Sequence, residues 1–185
     1  MKKLLCLFAL TAILSGILSA CGLKPLYADG RSGAVSSALS SISVDQIDGK
    51  AGWLVRQALE RQLNPASNDD NDGKAFHLVV KLDDQIEGLG VRANDSVTRE
   101  RRTLRARYQL IDNQSGVILL DKTAFSDAGI DIVGSEYATV AAENSALENL
   151  SQKIADQIIA QLANYSLNKG DATQNNASEQ SSAGE

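Results

Sequence analysis

Apolar and polar side chains alternate along three stretches of the chain, which is the pattern of strands that bury one face. These stretches are residues 39–47, 75–82 and 97–112. In the last of them, four apolar side chains occupy even-numbered positions: Leu104, Ala106, Tyr108 and Leu110. Residues 117–124 follow the turn-forming sequence 112–116, so we expect them to return as the second strand of a hairpin.

Two other stretches have apolar residues three and four positions apart, the spacing of a helix with one buried stripe. The first covers residues 50–63, with Asp48 as a predicted N-cap and Pro65 ending the helix. The second covers residues 136–165 and is predicted to begin after Ser135. Both helices would present their apolar stripe to a common core.

The predicted order of elements is strand, helix, three strands and helix. It favours an α+β fold, a two-layer sandwich with two helices on one face of a mostly antiparallel sheet of about four strands. Residues 85–91 are predicted to be a turn or irregular segment, and 125–134 a connection in which Ile130 and Ile132 could add a short extended piece. The helices would cover the apolar face of the sheet and leave its other face exposed.

The N-terminus looks like the signal sequence of a bacterial lipoprotein. Lys2 and Lys3 precede the apolar run 4–14, which is too short to span a bilayer as a helix. The sequence Leu-Ser-Ala-Cys that ends at Cys21 resembles a lipobox. By that resemblance residues 1–20 are removed, and Cys21 receives S-diacylglycerol and an N-acyl chain; Gly22 after it favours sorting to the outer membrane. The alternative is an ordinary signal peptide that happens to end at a cysteine.

The remaining chain is divided by composition. Residues 21–38 are predicted to be the lipidated N-terminus and a tether, 39–165 the domain, and 166–185 a disordered tail poor in large apolar groups. The net charge of −5 becomes −7 when the two lysines of the signal are lost, which argues against a general nucleic-acid binder. With Cys6 removed and Cys21 lipidated, no disulfide is expected within the chain.

The sequence does not favour an enzyme. His77 is its single histidine, and no nucleophile–base set or metal-ligand cluster accompanies it. Aspartates between residues 66 and 74 lack the spacing and terminal glutamate of a calcium loop. We therefore expect neither catalysis nor a metal, and no cofactor apart from the covalent lipid on Cys21.

Four arginines share one face of the strand predicted at 97–112. Arg99, Arg101, Arg105 and Arg107 all occupy odd positions, so they lie on the face opposite the apolar residues, roughly 7 Å apart. Guanidinium groups bind phosphates through paired, charge-assisted hydrogen bonds, which makes the row a candidate anion site. The alternative is an exposed row paired with Asp and Glu of neighbouring strands.

The chain resembles the LptE family of lipopolysaccharide-assembly lipoproteins. The resemblance is carried by the following segments: residues 21–27 (CGLKPLY), 103–112 (TLRARYQLID), 135–142 (SEYATVAA) and 154–158 (IADQI). It implies a non-enzymatic outer-membrane protein, on the periplasmic side or inside its partner, the β-barrel LptD, that helps deliver lipopolysaccharide to the outer leaflet. It also implies lipopolysaccharide contact at a basic position matched by Arg92, whereas Thr139 stands near the family's second basic position.

Two other functions are compatible with the sequence. The chain could be an auxiliary lipoprotein of another envelope lipid-trafficking system of the ABC type, or a structural envelope lipoprotein without lipid cargo. The three functions differ in the partner: a large β-barrel, an inner-membrane or tunnel-forming assembly, or peptidoglycan.

Overall fold

A four-stranded sheet with helices on one face forms the body of the protein, in a computed structural model that describes residues 34–64, 73–91, 97–132 and 135–182. The elements are α1 (Ala34–Ser40), β1 (Ile42–Val44), α2 (Gly49–Leu63), β2 (Phe76–Val91), β3 (Val97–Asp112), β4 (Ile118–Asp131) and α3 (Glu136–Ser182). The strands lie in the order β1-β2-β3-β4; β1 runs parallel to β2, and the other pairs are antiparallel. The predicted α+β class is confirmed. The predicted signal peptide, Cys21 and Arg92 lie outside the described residues.

The core lies between the sheet and the two longer helices. The even-numbered apolar side chains of β3 predicted to face inward are all buried: Leu104, Ala106, Tyr108 and Leu110. They belong to one cluster with residues of α2 such as Leu59 and residues of α3 such as Ile154 and Ile158. Burying a large aliphatic side chain contributes ~1.5–3 kcal/mol, so this layer stabilises the fold and leaves the odd-numbered face of β3 free.

The strands β2 and β4 are longer than the sequence predicts. Residues 85–91 belong to β2 and pair with the start of β3, and residues 125–131 belong to β4. The predictions of an irregular segment at 85–91 and of a connection from residue 125 were wrong, although an extended piece was expected at Ile130, which lies in β4. Residues 83–88 are all exposed, so no burial imposes an alternating pattern there, and the backbone hydrogen bonds of the ladder hold the segment extended.

The N-terminal part of the domain also differs from its prediction. Ala34–Ser40 forms the helix α1, where a tether through residue 38 was predicted, and the strand predicted at 39–47 is limited to Ile42–Val44. Leu39 is buried and Val35 packs against the core. Val35 and Leu39 are four residues apart, a helical spacing that is too short to be distinctive in a segment of small polar residues.

The helix α2 has nearly the predicted bounds, whereas α3 is longer. Asp48 precedes α2 as predicted but forms no side-chain capping bond, and the N–H of Asn64 closes the C-terminus on the carbonyl of Glu60 at 2.9 Å. The helix α3 continues to Ser182 across most of the segment predicted to be a disordered tail. Residues 166–182 contain no proline, so a helix already packed upstream can propagate through them. Tyr165 is the last residue of α3 that packs against the core among the side chains described.

The predicted hairpin between β3 and β4 is confirmed. The Asp112 carboxylate accepts hydrogen bonds from the backbone N–H groups of Gln114 and Ser115, each at 2.9 Å. These bonds lower the pKa of Asp112 below its usual value. Gly116 has φ = 68°, a left-handed conformation that glycine adopts without steric cost. The turn therefore fixes the register that places the charged residues of β3 opposite those of β4.

Candidate functional site

The exposed face of β2, β3 and β4 carries a row of cations, and we call it the arginine face. Its cationic side chains are Lys81, Arg99, Arg101, Arg105 and Arg107. All have odd numbers, so the parity that buries the even residues of β3 sends the odd ones to the opposite side of the sheet. The four arginines that the sequence singled out on this strand are therefore brought together on one surface, as predicted.

Three of these arginines form ion pairs with aspartates of β4. Arg99 Nε lies 3.0 Å from an oxygen of Asp131, and Arg101 Nε lies 3.8 Å from an oxygen of Asp127. Both pairs are exposed and contribute little to stability, since exposed ion pairs are worth ~0–1 kcal/mol. This is the arrangement that the sequence left open as the alternative to a free anion site.

The third pair, Arg107 with Asp121, is held by more hydrogen bonds than the other two pairs of the arginine face. Arg107 donates from Nε and Nη2 to the two carboxylate oxygens of Asp121, at 3.1 and 2.8 Å. Gln109 donates a further hydrogen bond to Asp121 at 2.7 Å. These three bonds lower the pKa of Asp121 to about 2, and the carboxylate in turn raises the pKa of Arg107.

Arg105 and Lys81 form no ion pair within the part of the chain that the structure describes. The guanidinium carbon of Arg105 lies 5.7 Å from the ring centre of Phe125, its partner across the β3–β4 ladder. Lys81 lies on β2 directly opposite Arg107. Val79, Lys81, Arg107 and Gln109 line a depression of about 100 Å³. Sequence analysis did not select Lys81, although its parity on β2 placed it on the polar face.

Lys81, Arg105 and Arg107 form the cationic cluster of the arginine face. Side chains directly opposite on antiparallel strands have their Cβ atoms ~4.5–5.5 Å apart, so an anion can contact Lys81 and Arg107 together. Asp83 lies opposite Arg105, but its carboxylate accepts both of its recorded hydrogen bonds from Gln85, at 3.1 Å each. Among the described residues, two cations of the cluster, Lys81 and Arg105, therefore have no carboxylate partner, and the third, Arg107, is paired with Asp121.

Arg102 has a different environment from the other arginines of β3. It is even-numbered, and its side chain is 11% exposed on the helix side of the sheet. It binds both oxygens of Asp84 and donates to the backbone carbonyl of Glu143 in α3 at 3.0 Å. Arg102 therefore joins the sheet to the helix layer and is not available to a ligand on the arginine face.

A second surface feature lies between α2 and α3, on the side away from the sheet. A groove of about 410 Å³ is lined by Trp53, Leu54 and Ala58 of α2 and by Glu148, Ser151 and Gln152 of α3, among others. Trp53 is 61% exposed. Ser151 is 1% exposed, and its hydroxyl has no hydrogen-bond partner among the described residues. The groove thus combines an exposed aromatic ring with a buried, unsatisfied hydroxyl.

The described residues contain neither a candidate metal site nor a candidate membrane-spanning helix. No group of three or more His, Cys, Asp or Glu residues there is arranged to hold a metal ion, and the ring Nδ1 of His77 contacts the side-chain oxygen of Asn113. In the same part of the chain, no helix has both the length and the apolarity needed to cross a bilayer.

Comparisons with known proteins agree with this architecture. The family model described as LptE, lipopolysaccharide-assembly, matches residues 39–162. The fold is similar to the crystal structure of a candidate lipoprotein from Caulobacter crescentus, which is 24% identical with a TM-score of 0.61; the match covers 74% of this chain and 98% of that one. A search of curated protein sequences found no match.

Two other solved structures share the fold at lower identity. The minor lipoprotein from Acinetobacter baumannii is 16% identical with a TM-score of 0.52, over 66% of this chain and 89% of that one. The rare lipoprotein B from Shewanella oneidensis is 14% identical with a TM-score of 0.50, over 70% of this chain and 96% of that one. The family model covers all four strands, α2 and most of the packed part of α3, and on that match the chain belongs to the LptE family of non-enzymatic lipopolysaccharide-assembly lipoproteins.

Proposed function

We propose that the protein is an outer-membrane lipoprotein that partners the β-barrel LptD in the assembly and delivery of lipopolysaccharide to the outer leaflet. It would be anchored by the lipid on Cys21, with its domain on the periplasmic side or within the barrel. Membership in the LptE family supports this role over an auxiliary lipoprotein of an ABC-type system and over a structural lipoprotein. Three acyl chains would exceed the two signals that stable membrane anchoring needs.

The observation that carries the proposal is the cationic cluster beside an exposed aromatic ring. Lys81, Arg105 and Arg107 can donate several charge-assisted hydrogen bonds to phosphate oxygens. Phe125, 48% exposed, lies next to them under the guanidinium of Arg105. A phosphorylated glycolipid presents phosphates next to apolar chains, and this surface matches both parts.

The paired arginines have a different part in this proposal. Arg99 and Arg101 are engaged with Asp131 and Asp127, so a phosphate that binds them has to displace a carboxylate. Arg105 and Lys81 have no carboxylate partner among the described residues, so a phosphate can bind them without displacing one. We therefore expect the affinity for lipopolysaccharide to depend more on Lys81 and Arg105 than on Arg99 and Arg101. Arg92, which the family resemblance points to, stays a predicted contact.

Two double variants that remove the same number of positive charges test this proposal. Lys81→Ser with Arg105→Ser should weaken lipopolysaccharide binding about ten-fold, since each removes charge-assisted hydrogen bonds to phosphate. Arg99→Ser with Arg101→Ser is the matched control and should weaken binding by a smaller factor. The measurement is titration of the purified protein with labelled lipopolysaccharide, after circular dichroism has established that both variants fold. Equal losses would indicate a non-specific charge effect, and no loss in either would remove this face from lipopolysaccharide binding.

A further inference from the structure

The outer edge of β4 is one of two long edges that no described strand covers, the other being that of β2 beyond Leu78. One helix side chain occupies the centre of the β4 edge. The backbone N–H of Phe125 donates to the side-chain oxygen of Gln157 at 3.2 Å. The side-chain nitrogen of Gln157 donates to the carbonyl of Phe125 at 3.1 Å. A primary amide thus makes the two hydrogen bonds that a residue of an adjacent strand would make with Phe125.

This contact shows which backbone groups of β4 face outward. Because the N–H and C=O of Phe125 bond to Gln157, they point away from β3, and the direction repeats at every second residue of the strand. The outward groups of β4 therefore belong to the odd-numbered residues 121–131. No strand lies beyond β4 in the part of the chain that the structure describes. A free edge of this length is a template for strand addition.

The side chains along this edge are compatible with a second copy of the same strand. In an antiparallel pair centred on Phe125, Phe125 faces its own symmetry mate and Thr123 faces Asp127. The same register places Asp121 opposite Gly129, and Asp131 opposite Leu119. Every aspartate of the edge then faces an uncharged residue, whereas a pair centred on Asp127 would oppose two carboxylates. Of the registers centred on an outward-facing residue, those centred on Thr123 and on Phe125 oppose no two carboxylates, and the longer of the two is centred on the residue that Gln157 occupies.

We propose that the β4 edge is a latent self-association surface of this chain and that Gln157 keeps it closed. By occupying Phe125, the amide removes the central hydrogen-bonded pair that a strand added to β4 would form. This mechanism goes beyond the proposed function. It keeps the β4 edge from pairing with the same edge of a second copy.

Gln161 provides a matched control, since it lies one turn further along α3 and also reaches β4. Within the described part of the chain, it accepts a hydrogen bond from the side chain of Lys122 at 2.7 Å and makes none to the β4 backbone. Replacing Gln161 with Ala should therefore leave the edge closed, whereas replacing Gln157 with Ala should open it. Both substitutions replace a glutamine of the same helix with alanine, so they remove the same side-chain atoms and differ only in the contact that is lost.

The test uses a reporter cysteine at the centre of the proposed pair. Phe125→Cys is introduced into the full-length chain alone, with Gln157→Ala and with Gln161→Ala, and dimers are counted on non-reducing gels after mild oxidation. Opposed residues of a hydrogen-bonded antiparallel pair have Cα atoms ~5.5 Å apart, within reach of a disulfide. The chain without Phe125→Cys sets the background.

We expect about ten-fold more linked dimer with Gln157→Ala than with either Gln161→Ala or the reporter alone, as the loss of two hydrogen bonds predicts. Equal amounts in all three would overturn the proposal, whether the amounts are low or high. Linkage of the reporter to a different protein in place of a dimer would also overturn it. Gln157→Glu, which keeps an acceptor for the Phe125 N–H but loses the donor, should give an intermediate amount.

Discussion

Arg102 and Asp84 form a two-point ion pair across β2 and β3 on the helix side of the sheet. The guanidinium Nε and Nη2 lie 2.9 and 2.6 Å from the two carboxylate oxygens of Asp84. The third bond of the guanidinium, to the carbonyl of Glu143, reaches α3. The hydrogen bonds to this carboxylate raise the pKa of Arg102, so the guanidinium stays charged. It lies where β2 is exposed and apolar packing is thin, and thereby fixes the outer part of the sheet against the helix.

Replacing Arg102 with Ala should destabilise the fold by about 2 kcal/mol, because it leaves Asp84 and the Glu143 carbonyl without their partner. Arg99→Ala is the control, since the Arg99–Asp131 pair is exposed and should cost less than about 0.5 kcal/mol. Urea unfolding of the two variants measures the difference. Equal stabilities would show that Arg102 does not hold the sheet to the helix.

The pair of Arg107 and Asp121 gives the stability a pH dependence at low pH. The folded-state pKa of Asp121 is lowered to about 2, below the ~3.9 of an unfolded aspartate. The contribution of ionised Asp121 to the free energy of unfolding is therefore present above about pH 4 and is lost as the pH falls toward 2. Arg107→Ser should raise the pKa of Asp121 toward the ordinary value, as followed by an NMR titration of its carboxyl. Arg99→Ser should leave it unchanged. A wild-type Asp121 that titrates near pH 4 would contradict the pairing.

The unsatisfied hydroxyl of Ser151 predicts a stabilising substitution. Ser151→Ala removes a buried polar group that has no partner, and should raise the free energy of unfolding by up to about 1 kcal/mol. Ser145→Ala is the control on the same helix, because the Ser145 hydroxyl donates to the carbonyl of Ala141 at 3.0 Å. Thermal unfolding compares the two. A loss of stability in Ser151→Ala would mean that the hydroxyl is satisfied in solution.

The proposed lipid anchor predicts a change of location. Replacing Cys21 with Ala removes the sulfur that would carry diacylglycerol, so the protein should leave the outer-membrane fraction. Cys6→Ala, in the segment predicted to be removed, should leave the fractionation unchanged. The measurement is separation of inner-membrane, outer-membrane and soluble fractions, with mass spectrometry of the N-terminal peptide. Unchanged fractionation of Cys21→Ala would exclude the lipid as the anchor.

The core and the arginine face could both be predicted from the sequence, because side chains of β3 alternate between the two faces of the sheet. Burial of the even residues of β3 imposes an alternation visible from Leu104 to Leu110, and the arginines follow from it. Residues 83–88 of β2 are exposed on both faces, so their strand is held by pairing with β3 and leaves no periodicity to recognise.

The partners of the arginines were beyond sequence reasoning for a related reason. The pairing of Arg107 with Asp121 depends on register, which the hairpin turn and a shift at Leu110/Ile111 set together. The structural role of Arg102 depends on where α3 crosses the sheet. Lys81 could have been selected, since its strand and parity were predicted correctly; its alignment with Arg107 could not.

Copurification tests the central claim most directly. The full-length protein, tagged at its C-terminus, is isolated from envelopes dissolved in mild detergent, and the proteins that remain bound are identified and quantified. The proposed function predicts one large outer-membrane β-barrel, LptD, in near-equal amount. Recovery of an inner-membrane or tunnel-forming assembly, or of the protein without any barrel, would contradict it.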